Sequence, residues 1–131
     1  MIELIAALTP LDYQHLAKAV SVEAHPNSPD EYCVAASILN RVLSDKFPNT
    51  ISDVVFAPGQ YQGLDSKRYI VPSTRLVEKL SSPNGQKSIA YWGKVLNNRT
   101  DFKGQSMLRY RVANEDPMCH PKGNFYHYYW Q

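Results

Sequence analysis

Apolar residues recur at helical spacing through the first two thirds of the chain. The period predicts long helices over residues 12–24, 29–43 and 86–96 and shorter ones over residues 51–56 and 74–80. Thr9-Pro10 supplies a cap and a first-turn proline for the first helix, and Ser28 with Glu31 forms a capping-box pattern for the second. The last third lacks this period, and we expect short strands near residues 107–112 and 125–130. The predicted fold class is therefore α+β, mainly α.

The pattern also ranks the helices by burial. Residues 29–43 are apolar on nearly every face, which is typical of a helix at the centre of a domain. Pro83-Asn84-Gly85 predicts a turn before the last helix. Residues 58–71 are rich in Gly, Gln and Tyr without any period, which predicts a loop that lines a cleft.

Glu23 is the polar residue that breaks this pattern most clearly. At about 100° per residue it projects roughly 20° from Leu16, on the apolar face of its helix. Burying an ionised carboxylate costs several kcal/mol, and the C-terminal end of a helix disfavours negative charge. Both effects raise a carboxyl pKa, as a general acid that works near neutral pH requires. The alternative is a structural glutamate held by backbone N–H groups or by an arginine such as Arg41.

Composition places the chain among ordinary globular proteins. Its 131 residues are 44% hydrophobic and 20% charged, which fits one domain over residues 1–131. A net charge of +2 without a basic cluster argues against a nucleic acid partner. The N-terminus lacks the basic region of a signal peptide, and no apolar run is long enough to span a bilayer.

Two cysteines, Cys33 and Cys119, do not define a disulfide framework, although one bridge between them stays open. Cys33 fits a small buried apolar residue. Cys119, His120, His127 and His25 lack the spacing of a zinc site, so we expect no metal and no cofactor.

Several motifs, in order and at matching spacing, resemble the SleB/CwlJ-type cell wall hydrolases. Those enzymes place Glu-Ala at a helix end, then an Ala-rich helix ending Leu-Asn-Arg-Val. A Phe-Pro-Asn-(Thr/Ser) turn, an apolar Val-(Val/Ile)-(Phe/Tyr) helix and a Pro-Gly-(Gln/Ala)-Phe segment follow. The corresponding residues here are Glu23-Ala24, Ala35–Val42, Phe47-Pro48-Asn49-Thr50, Val54-Val55-Phe56 and Pro58-Gly59-Gln60-Tyr61. Gly123-Asn124 and the aromatic C-terminus resemble the family's closing motif. The chain departs from the family at His25-Pro26-Asn27, where Arg-Gly-Glu is usual, and at Tyr61, where Phe is common.

The resemblance implies a lysozyme-like fold related to the lytic transglycosylases, and cleavage of the glycan strand of peptidoglycan. Glu23 stands at the family's catalytic glutamate. Amide and aromatic groups suit sugar hydroxyls and sugar faces, and the candidates for substrate binding are Gln60, Tyr61, Asn124, Tyr126 and Tyr128.

Two mechanisms stay open for the bond between MurNAc and GlcNAc. Hydrolysis normally uses a second carboxylate, and Asp53, Asp65 and Asp101 all resemble ordinary loop or helix-start residues. A single carboxylate suffices for a lytic transglycosylase, which closes a 1,6-anhydro ring on MurNAc, and this route is favoured over a muramidase that uses water.

Two other classes of protein remain as alternative interpretations of the sequence. The first is a cysteine- or metal-dependent peptidase, and the second is a non-catalytic virion or wall-binding module. Because the sequence offers no signal peptide, we expect synthesis in the cytoplasm and action on the cell wall. A bacteriophage product, carried with virion or tail proteins or released at lysis, fits this expectation.

Overall fold

The computed structural model describes residues 1–24, 27, 30–57 and 74–96, and these residues are mainly helical. In chain order the helices are α1 (Ile2–Ala7), α2 (Pro10–Glu23), α3 (Asp30–Leu43), α4 (Ile51–Val55), α5 (Thr74–Ser81) and α6 (Pro83–Leu96). The mainly helical prediction is confirmed for this part of the chain. The strands predicted near residues 107–112 and 125–130 lie outside it.

Helix α2 begins where the sequence predicted. The Thr9 hydroxyl accepts a hydrogen bond from the Asp12 backbone N–H at 3.1 Å, and the Asp12 carboxylate accepts one from the Thr9 N–H at 2.9 Å. This reciprocal cap satisfies two donors that a helix start leaves open. The helix ends at Glu23, where Ala24 adopts an extended conformation.

Helix α3 lies at the centre of the domain. Its residues from Asp30 to Val42 are buried except Tyr32, and it packs against α2, α4 and α6. Ala35 and Ala36 are completely buried, as close helix packing requires. The prediction of a central helix is therefore confirmed.

Helix α4 is fixed to α2 by Phe56, which follows its last turn. The His15 and Phe56 rings meet edge to face with centroids 5.2 Å apart, and the Lys18 ammonium lies 5.9 Å from the Phe56 ring centre. The Thr50 hydroxyl caps α4 by accepting from the Asp53 N–H at 3.1 Å. Asp53 is thus a helix-start residue, as expected.

Two predictions at the ends of this region were wrong. Helix α1 was not predicted, so α2 is the second helix and not the first. Helix α1 has too few residues to show a helical period, and Ile5 is its only buried residue. Pro83-Asn84-Gly85 is the first turn of α6 and not a connecting turn, because the Ser82 hydroxyl accepts from the Gly85 N–H at 3.0 Å and so starts the helix.

Gly85 explains how α6 begins so soon after α5. A Cβ at this position would lie 1.9 Å from the Lys79 carbonyl oxygen and 2.9 Å from that of Leu80. Only glycine allows the start of α6 to approach the end of α5 this closely. Within the described residues, no helix combines the length and apolarity that crossing a membrane requires.

Candidate active site

Glu23 is the last residue of α2, and its side chain is completely buried. It follows Leu16, Ala19 and Val20 along the face of α2 that enters the core, and all three are completely buried too. The sequence prediction that Glu23 lies on the core face is therefore confirmed. The catalytic role of Glu23 stays a prediction.

Two further carboxylates are buried where the chain enters α3. Asp30 and Glu31 are its first two residues, 0% and 1% exposed. The turn from Glu23 to Asp30 includes Asn27, whose φ of 66° is a left-handed conformation that asparagine tolerates. Glu23, Asp30 and Glu31, which we call the carboxylate corner, thus flank one short connection.

Glu31 is held by two cations of α5. The Arg75 Nη2 donates to Glu31 Oε2 at 2.8 Å, and the Lys79 Nζ donates to Oε1 at 2.5 Å. Arg75 and Lys79 are four residues apart, so they lie on the same side of α5 and reach one carboxylate together. The sequence assigned Glu31 only a capping role, and this ion cluster was missed. The spacing of Arg75 and Lys79 indicates only that the two cations share one face of α5, and not that Glu31 lies against it.

The cluster keeps Glu31 ionised. Burial by itself raises the pKa of its carboxyl, but the hydrogen bonds from Arg75 and Lys79 and their positive charges outweigh burial and lower the pKa below its ordinary value. The hydrogen bond to Glu31 in turn raises the pKa of Arg75. The start of α3 also favours a negative charge. Glu31 is therefore an anion with both oxygens engaged.

The outer side of this cluster is partly open. The Arg75 side chain is 45% exposed and that of Lys79 is 23% exposed, and the Lys79 ammonium lies 4.8 Å from the centre of the Tyr32 ring. The cations are therefore hydrated on one side, whereas Glu31 is enclosed. The cluster joins α5 to the first turn of α3.

Arg41 lies in the last turn of α3, at the opposite end of that helix from Asp30 and Glu31. Its guanidinium stacks over the Phe47 ring at 5.1 Å and is buried. Asn40 beside it is buried as well. Arg41 of the family's Asn-Arg pair thus packs against the turn after α3.

Cys33 is completely buried in α3 and is disulfide-bonded. The sequence predicted the burial and left the bridge open. The other cysteine of the chain, Cys119, lies outside the described residues.

The remaining predicted site residues also lie outside the described part of the chain; they are Gln60, Tyr61, Asn124, Tyr126 and Tyr128. The same holds for His25, His120 and His127. Among the residues that are described, no three His, Cys, Asp or Glu side chains form a group that could hold a metal ion.

Comparison with known proteins agrees with the motifs. The family profile described as Cell Wall Hydrolase matches residues 27–129. Two spore cortex-lytic enzymes of Bacillus cereus are each 41% identical to the chain over 64 residues, which cover 47% of this chain and 25% of theirs. The chain thus spans about a quarter of the length of these relatives. No solved structure matches it.

The family match covers most of the chain, including the helices α3 to α6. The protein therefore belongs to the cell wall hydrolase family, and the resemblance to the SleB/CwlJ-type enzymes is confirmed. The match begins at residue 27 and so includes Asp30, Glu31, Arg75 and Lys79, but it does not reach Glu23.

Proposed function

We propose that this protein degrades peptidoglycan by cleaving the glycosidic bond between MurNAc and GlcNAc, with Glu23 as its acid and base. Membership of the cell wall hydrolase family supports the substrate class. The observation that carries the choice of residue is the position of Glu23, a buried carboxyl on the core face of α2 at the end of that helix. A helix C-terminus disfavours negative charge and burial of an ionised carboxylate is costly, and these general effects support the choice of Glu23 as the acid.

The ion cluster of Glu31 removes one candidate for a second working carboxylate. Hydrolysis uses a second carboxylate as base or nucleophile. Glu31 is near in sequence, but both of its oxygens are engaged by Arg75 and Lys79, and its pKa is lowered by those contacts. A carboxylate so occupied is a poor base for water. We therefore propose the lytic transglycosylase reaction rather than a muramidase reaction.

The proposed reaction balances without water. Glu23 donates its proton to the glycosidic oxygen, and the bond from that oxygen to C1 of MurNAc breaks. The C6 hydroxyl oxygen of the same MurNAc then bonds to C1, and its proton returns to the Glu23 carboxylate. The products are a new GlcNAc hydroxyl and a 1,6-anhydro-MurNAc end.

Access to Glu23 is part of the proposal. The side chain has no exposed surface in the free protein, so the groups that cover it must move when a glycan strand binds. We propose that Gln60, Tyr61, Asn124, Tyr126 and Tyr128 contact the sugars in that complex, within one lysozyme-like domain over residues 1–131. We further propose that the protein acts on the wall from a bacteriophage particle or after release at lysis.

Mass spectrometry of digested peptidoglycan tests the proposal. Wild-type protein should release glycan fragments with 1,6-anhydro-MurNAc ends, and Glu23→Gln should release none. Reducing MurNAc ends would support a muramidase, and free peptides would support the peptidase rival. Binding to the wall without any released sugar would support a non-catalytic module.

A further inference from the structure

The outer face of α6 carries a stripe of three exposed side chains. Lys87, Tyr91 and Lys94 are four and three residues apart, so they lie on one side of the helix about a turn from each other. The opposite side of α6 buries Ile89 and Leu96 against the core. We call Lys87, Tyr91 and Lys94 the α6 stripe.

Tyr91 is an exposed aromatic residue whose ring packs against that of its neighbour Trp92. Its ring is 4.9 Å from that of Trp92, measured between centroids, at an interplanar angle of 37°. Trp92 is half-buried and packs against the core, whereas Tyr91 is 56% exposed. A large apolar ring held in this way loses little conformational entropy when a flat apolar surface stacks on it.

The stripe is positively charged. Neither Lys87 nor Lys94 forms a salt bridge within the described residues, and the α6 sequence contains no acidic residue. The exposed acids on the neighbouring helices are Glu3 of α1, which lies 3.8 Å from the N-terminal ammonium, and Glu78 of α5. As far as the described residues are concerned, both lysines therefore remain available for an anionic ligand.

An apolar groove adjoins the stripe. It lies between α1 and α6, has a volume of about 340 Å³, and is lined mainly by apolar side chains such as Ile2, Ile5 and Ala90. Lys87 belongs to both the groove and the α6 stripe. Ile2 is 73% exposed at this groove, so apolar surface here is open to a ligand.

We propose that the α6 stripe and this groove form an accessory binding surface for peptidoglycan, separate from Glu23. This inference depends on the proposed function for the identity of the polymer. Peptidoglycan combines sugar rings with apolar faces, alanine methyl groups and the carboxylates of its stem peptides. Tyr91 stacks on a sugar ring, Lys87 and Lys94 pair with carboxylates, and the groove takes a methyl group.

Co-sedimentation with insoluble purified peptidoglycan tests this surface. The parent is Glu23→Gln, which should bind without digesting its ligand, and the test variant adds Lys87→Gln, Tyr91→Ala and Lys94→Gln. We expect the dissociation constant to rise about tenfold or more in low salt, equivalent to about 1.4 kcal/mol. High salt should weaken the parent more than the test variant because exposed charges are screened.

Lys46→Gln is the matched control, since Lys46 is an exposed lysine in the turn after α3. It should bind as the parent does. Unchanged binding of the test variant would overturn the proposal, and so would equal weakening by Lys46→Gln, which would indicate net charge alone. Circular dichroism verifies folding of each variant.

A second readout uses the wild-type background. The three stripe substitutions should slow digestion of insoluble peptidoglycan at limiting substrate by a similar factor. If they do not, while the wild type does release glycan fragments, the accessory surface is wrong and the proposed function stands. If the wild type releases no fragments from any peptidoglycan, the proposed function itself fails.

Discussion

Glu23 and Glu31 are both buried glutamates that flank one short connection, yet they lie at opposite kinds of helix end. Glu23 ends α2, where the helix dipole opposes a negative charge. Glu31 begins α3, where the dipole favours it, and it binds Arg75 and Lys79 directly. Burial alone therefore does not identify a catalytic acid. The helix end and the cations around a carboxyl decide whether it holds a proton.

The comparison assigns separate roles to the two residues. Glu23 ends α2, the position from which we propose that it acts as acid and base, whereas Glu31 is an anion that joins α3 to α5. Each role predicts a different response to substitution.

Removal of the Glu23 carboxyl should have the largest effect. Glu23→Gln keeps the shape of the side chain but cannot exchange a proton, so the rate of glycan release should fall by about 10²–10⁴. Initial rates of fragment release from peptidoglycan measure this. Glu31→Gln is the matched control and, where it stays folded, should keep a rate well above that of Glu23→Gln.

Loss of both cations should have the next largest effect. Arg75→Met with Lys79→Met leaves the enclosed Glu31 without its cations, and breaking a buried ion pair from one side costs roughly 3–5 kcal/mol. Urea denaturation of the double variant measures the change in the free energy of unfolding. The addition of Glu31→Leu should restore part of the loss, because the uncompensated charge is then gone. A double variant as stable as the wild type would contradict this role for Glu31.

Gly85 should be the next most sensitive position, since it sets the end of α5 that carries Lys79. Alanine normally favours a helix interior over glycine by about 1 kcal/mol. Here Gly85→Ala places a Cβ against the Lys79 and Leu80 carbonyl oxygens, so we expect a loss of roughly 1–3 kcal/mol.

Gly93→Ala is the control for Gly85→Ala in the same helix. A Cβ at Gly93 would meet the end of the flexible Met1 side chain at 2.8 Å, which can move aside. Its change in the melting temperature should be small. If the two variants melt alike, the close approach of α5 and α6 is not what requires glycine at Gly85.

The smallest effect should be a dependence of stability on pH. The pKa of Glu31 is lower in the folded protein than its ordinary value of 4.5. Its contribution to stability is therefore fully present above that value and is lost as the pH falls through the folded-state pKa. The stability difference between wild type and Glu31→Gln should be largest near neutral pH and shrink below about pH 4.5. A stability difference that grows as the pH falls would contradict the lowered pKa of Glu31.

The helices could largely be predicted from the sequence because their apolar faces follow a period of 3.6 residues. Helix α1 was not predicted because it is shorter than two turns. The start of α6 was not predicted because Pro83-Asn84-Gly85 has the composition of a connecting turn. The serine before that proline is what makes the segment a helix start. Local composition cannot distinguish a connecting turn from the first turn of a helix.

In the candidate site, too, one feature could be predicted from the sequence and another could not. The burial of Glu23 follows from its angle on α2, which a periodic pattern provides. The ion cluster of Glu31 depends on α5 packing beside α3, and Glu31 and Arg75 are 44 positions apart in the sequence. Neither residue indicates the other in a single sequence. Long-range pairing of this kind requires the tertiary structure.

Digestion of peptidoglycan in water enriched in ¹⁸O tests most directly whether the glycosidic bond is cleaved by ring closure, as the single-carboxylate mechanism requires, or by water. Ring closure by the C6 hydroxyl predicts new MurNAc ends that carry no ¹⁸O and weigh one water less than a reducing end. One ¹⁸O atom at each new MurNAc end would contradict the single-carboxylate mechanism and show that water attacks the sugar.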